Sequence, residues 1–156
     1  RVVGAPDSRI PEIIAYVLDR GRVVYDWKAF FSSGHKHAER MMIMLKRDRE
    51  SNIEKFLVHL DSWCDLLLSE IYKRHKPGKT YPNYGSALKD PALATLLPIA
   101  IPALSALHAV RLESSVAHPR SIKTGKPTRR LKHHDFFKIR KQLVAAFDEI
   151  ECVIVP

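Results

Sequence analysis

Between residues 51 and 75 the apolar side chains Ile53, Phe56, Leu57, Leu60, Trp63, Cys64, Leu67 and Ile71 recur at spacings of three and four. Only an α-helix brings such a series to one face, since a strand would need strict alternation. An apolar stripe of that length must be covered by other elements, and helices cover helices most simply in a bundle. Ser51-Asn52-Ile53-Glu54 matches a capping box, with Ser51 expected at the N-cap and Glu54 reaching back to it. Lys76-Pro77-Gly78 predicts the end near His75.

The flanking sequence is helical in pattern as well. Pro11 suits the first turn of a helix, and Ile13, Ile14, Val17 and Leu18 follow as its apolar stripe. Gly21 weakens that helix, and Val23-Val24-Tyr25 is the one stretch with strand character. The helix is expected to resume through Trp27, Phe30 and Phe31 and to stop at Ser32-Ser33-Gly34. A second helix is predicted over 35–46, with Met41, Met42 and Leu45 inward. Residues 76–91, with glycines at 78 and 85 and prolines at 77, 82 and 91, form the main loop. Pro98 and Pro102 divide the apolar stretch 92–118, predicting a short helix, a kink and a longer helix from about Pro102. That helix carries Leu104, Leu107, Val110 and Arg111, and is expected to end at His118, before Pro119. After a basic loop, a last helix over about 135–153 buries Phe136, Ile139, Leu143, Phe147 and Ile150. The expected fold is all-α, a bundle of five or six helices in one domain spanning 1–156. Residues 1–50 supply N-terminal helices and 51–153 the core.

Composition agrees. At 156 residues and 46% hydrophobic content the chain can bury a core without a disulfide or metal. Two cysteines, Cys64 and Cys152, fit packing roles in a reducing, cytoplasmic setting. No apolar run approaches the roughly 20 residues of a membrane span. Residues 1–7 lack the apolar stretch of a signal peptide, and a start at Arg1 rather than Met fits a fragment or trimmed chain. The net charge is +9, and between Arg111 and Lys141 stand ten basic residues against Glu113 and Asp135. A positive stretch of that density favours a polyanionic partner, nucleic acid first.

The chemistry centres on Arg111-Leu-Glu-Ser-Ser-Val-Ala-His118. Seven residues apart on one helix, Arg111 and His118 would differ by about 20° and face the same way. A guanidinium is a permanent planar fork for phosphate oxygens, and an imidazole takes and gives a proton near neutral pH. Together they suit RNA cleavage by the RNA's own 2′-hydroxyl, which requires no metal.

An arginine and a histidine separated by six residues, on a late helix before a loop and a closing amphipathic helix, resemble the HEPN domain family. Gly85-Ser-Ala-Leu, the apolar helix, Ala117-His118-Pro119 and the last helix match its second half. The helix around Trp63 corresponds to its preceding long helix, so the likeness covers about 51–153. It implies a metal-independent endoribonuclease of the toxin or defence kind, acting as a homodimer whose two motifs meet in one cleft. Arg111 would contact the scissile phosphate and His118 would transfer protons, with an antitoxin or nucleotidyltransferase as possible partner protein. Leu112 stands where catalytic members usually carry a polar residue. A non-catalytic RNA- or protein-binding module, or the helical companion of a nucleotidyltransferase, therefore remain alternatives. Ser114 and Ser115 are the polar groups nearest to that position, and His108, three before Arg111, is a supporting candidate that also reads as a packed histidine.

Arg120, Lys123, Lys126, Arg129, Arg130 and Lys132 form the expected RNA-binding loop, neutralising phosphates without reading sequence. Gly125-Lys126-Pro127-Thr128 is no phosphate-cradling motif, because position 120 is not glycine and no Ser or Thr follows Lys126 directly. His35, His37, His133 and His134 lack companion ligands at metal-binding spacing, so neither a metal nor another cofactor is expected. Tyr81 and Tyr84 suit base stacking or packing on the bundle, Trp27 reads as core, and Lys46-Arg47-Asp48-Arg49 reads as a solvated helix end.

Overall fold

The stripe of residues 53–71 is the axis around which the chain is built. The computed structural model describes residues 17–18, 35–114 and 128–154. Within them run six helices: α1 (His35–Ser51), α2 (Ile53–His75), α3 (Tyr84–Ala87), α4 (Pro91–Leu96), α5 (Ala100–Leu112) and α6 (His133–Ile154). No strand occurs among the described residues; Ser114 and Arg129 form an isolated parallel bridge. The first predicted helix, apart from the buried Val17 and Leu18, lies outside the described residues, as do Val23-Val24-Tyr25 and Trp27.

Helix α2 starts one residue later than the capping box predicts. Asn52, in extended conformation, is the N-cap, and its side chain accepts from the Lys55 amide. Ser51 instead ends α1 and donates to the Arg47 carbonyl at 2.8 Å. Glu54 turns into the bundle, where it is buried. The predicted stop is found, with Lys76 as C-cap and Gly78 at positive φ beyond it.

Phe56, Trp63 and Cys64 on α2 are fully buried, together with Phe136, Leu143, Phe147 and Ile150 on α6. Phe56 meets Phe136 edge-on at 5.2 Å and Trp63 stacks on Phe147 at 5.6 Å, so α6 runs alongside α2 in the same direction. Helix α5 runs the opposite way, His108 meeting Asp61 and Ser114 meeting Glu54. Its N-terminus is capped by the Glu149 carboxylate of α6, which accepts from the Ile99 and Ala100 amides, a favourable charge at the positive end of a helix. Pro98 falls in the break between α4 and α5, while Pro102 sits in the first turn of α5, where its missing amide hydrogen leaves no bond unmade.

Several expectations need correction. Helix α1 continues to Ser51, so the basic run 46–49 is not simply solvated: Asp48 is buried against His59, with Nδ1 to Oδ2 2.6 Å. Arg49 donates to the Val17 carbonyl and lies 4.8 Å from the Phe136 ring centre. Cys152 is exposed rather than packed. The long loop 76–91 contains the short helix α3. Most consequentially, α5 ends at Leu112 rather than His118.

Candidate functional site

That early end has a local cause. The Glu113 and Ser114 amides bond back only three residues, to Val110 and Arg111, tightening the last turn. The Glu113 carbonyl then accepts from the Arg129 amide at 2.9 Å, drawing the chain out of helical register. The Ser114 hydroxyl donates to Glu54 Oε2 at 3.0 Å, and the Leu131 amide donates to the same oxygen at 3.0 Å. Glu54 thus ties the segment after α5 to the segment before α6. The common face inferred for Arg111 and His118 from helical phase does not extend past Leu112. His118, Ser115, Arg120, Lys123 and Lys126 lie outside the described residues.

Arg111 and His108 do share a face, one helical turn apart on α5, and both converge on Asp61 of α2. His108 Nδ1 lies 3.0 Å from Asp61 Oδ2, and Arg111 Nε lies 3.6 Å from the same oxygen, an ion pair beyond hydrogen-bond length. The Asp61 side chain is 1% exposed, whereas those of His108 and Arg111 retain 23% and 31%. The other carboxylate oxygen, Oδ1, is buried with no hydrogen-bond partner. Burial raises the Asp61 pKa, which the His108 hydrogen bond and the His108 and Arg111 charges partly counter. The Tyr84 ring packs edge-on against His108 at 5.1 Å. Its hydroxyl is buried without a hydrogen-bond partner, and burial holds its pKa far above the ordinary value. Tyr84 is therefore a wall of the site, not a base-stacking surface. Tyr81 donates to Asp65 Oδ1 at 2.6 Å.

The cations before α6 divide into two kinds. Arg129 is locked: Nη1 and Nη2 donate to both carboxylate oxygens of Asp135, at 3.1 and 2.7 Å, and Nε donates to Glu113 at 3.1 Å. This guanidinium holds the Asp135 carboxyl below its usual range. Arg130 and Lys132 are exposed. Ser114 is sealed from solvent and serves the Glu54 linkage. Among the described residues no three His, Cys, Asp or Glu side chains come together as a metal site, and no helix is long and apolar enough to cross a membrane.

The two acids that organise this region, Glu54 and Asp61, were readable in the sequence. Glu54, Leu57, Asp61, Cys64 and Leu68 follow spacings of three and four along one line of α2, so both carboxylates stand at apolar phase. An acid in the middle of an apolar stripe requires a buried partner.

Neither a protein-family model, nor a curated protein, nor a solved structure matches the chain.

Proposed function

We propose that this bundle is of HEPN type and acts as a metal-independent endoribonuclease, with Arg111 and His118 as its reacting pair. The observation that carries the reading is the placement of Arg111 at the end of α5. Its Nε lies 3.6 Å from a buried carboxylate, an ion pair rather than a hydrogen bond, while about a third of the side chain stays exposed. A cation held that way is oriented before a phosphate arrives, which lowers the cost of stabilising charge in a transition state.

In the proposed reaction a ribose 2′-oxygen attacks the adjacent phosphorus. His118 takes the 2′-hydroxyl proton, the bond from phosphorus to the 5′-oxygen breaks, and that oxygen receives a proton. The products are a 2′,3′-cyclic phosphate and a free 5′-hydroxyl. Arg111 would offset the charge gathering on the non-bridging oxygens, and Asp61 would position Arg111. The homodimer of the resemblance would bring two such pairs together.

A second reading draws on the same contact. Arg111 already has an anion in Asp61, and α5 stops before His118, which suits a module that binds RNA without cutting it. One experiment separates them: single-stranded RNA incubated with the chain in EDTA, followed by end-group analysis. The endoribonuclease predicts cyclic phosphate ends that vanish in Arg111→Ala and in His118→Ala, with circular dichroism unchanged. RNA bound but intact favours the module, and cleavage persisting in both variants removes the pair from the site.

A further inference from the structure

A groove of about 540 Å³ opens where α2 and α6 begin, lined by Asn52, Glu54, Arg130, Lys132, His133 and His134 among others. Three acids near it are already engaged. Glu54 accepts from Leu131 and Ser114, Asp135 from Arg129 and from the Lys132 amide, and Glu113 from Arg129. Arg130 and Lys132 stand exposed with no ion pair to these acids. One helical turn into α6, Phe137 is 54% exposed, and His133 stacks on it with centroids 6.4 Å apart and planes at 29°. An exposed aromatic pair beside unneutralised cations is the combination that holds single-stranded nucleic acid: cations follow the phosphates and a ring takes a base.

We propose that this groove binds a single-stranded RNA, with Arg130 and Lys132 on its phosphates and Phe137, backed by His133, under one base. The inference rests on the RNA reading above and adds a second site to it. Glu54 and Asp61 are seven residues apart on α2, so the groove lies about 10 Å along the helix from the carboxylate under Arg111 and within about 20° of the same side. RNA seated there would present neighbouring nucleotides to Arg111. A flat aromatic next to the cations favours a nucleic acid over an acidic protein, which would need the charge but not the ring.

The test is binding, not cleavage. A fluorescent 2′-O-methyl oligonucleotide of about ten nucleotides, which lacks the attacking hydroxyl, is titrated by anisotropy at several salt concentrations. Arg130→Gln with Lys132→Gln should weaken binding about tenfold or more and lower the salt slope by about 1.4, for two phosphate contacts on a single strand. Lys73→Gln with Lys79→Gln, the same charge change at the far end of α2, should leave both nearly unchanged. Phe137→Leu should weaken binding about tenfold, and Phe137→Tyr should retain it. Equal losses from both charge pairs, an unchanged Phe137→Leu variant, or no binding by the parent chain would overturn the groove. If the groove variants behave as expected while Arg111→Ala and His118→Ala still cleave RNA, the groove stands and the catalytic reading falls.

Discussion

Asp61 shows how one buried acid can organise an arginine and a histidine. Desolvation raises its pKa more than His108 and Arg111 lower it, so the folded chain holds that proton more tightly than the unfolded chain. Between the ordinary carboxylate value near 4 and the raised folded value, the folded state binds more protons, and stability falls as pH rises. Asp61→Asn abolishes this titration. The stability of the parent minus that of the variant, measured by urea unfolding, should therefore decrease with pH across that window and level off above it. A difference that stays constant or grows with pH would show that Asp61 is not held in the protonation balance its burial implies. Glu54 lies two turns earlier on the same line, but its job differs: it joins two backbone segments, accepting from Ser114 and Leu131. Arg111 was identifiable as a candidate phosphate ligand by residue type alone. Its anchoring carboxylate was also on view, as an acid at an apolar position, yet its partner could not be named because it stands some fifty residues away.

At the scale of elements, the start of α2 shows a local rule applied one residue out of register. Ser51-x-x-Glu54 satisfies the capping-box pattern, yet Asn52 does the capping because α1 runs straight through Ser51 and Glu54 is needed inside the bundle. Asn52→Ala should then cost about 1 kcal/mol, read from the denaturation midpoint, and Ser51→Ala should stay within about 0.5 kcal/mol. The opposite ranking would restore the serine as cap. The end of α5 shows the same competition. Pro119 marks a place where a helix must stop, but the Glu54 linkage and the Ser114–Arg129 bridge stop it earlier. Arg129, basic in sequence and so an expected phosphate ligand, is used to hold Asp135 and Glu113; Arg130 beside it is not.

Across the whole molecule, α2 is the central helix, with α1, α5 and α6 packed around it. Trp63 is fully buried at mid-length and stacked on Phe147. Trp63→Ala should cost roughly 3–5 kcal/mol, a large part of the stability of a domain this size. A shift in the denaturation midpoint of much less would mean that Trp63 is peripheral. The all-helical class, the long central helix, its end near His75 and the buried face of α6 were determined by the sequence, because a repeat of three and four residues is a local property that any tertiary setting must respect. Tertiary structure decided which cations are spent on structure, which acids lie beneath them, and where α5 stops. Each of those outcomes is a contest between a residue's own preference and a partner brought close only by folding. Helical phase fixes a side chain's direction within its helix, but packing chooses what it meets.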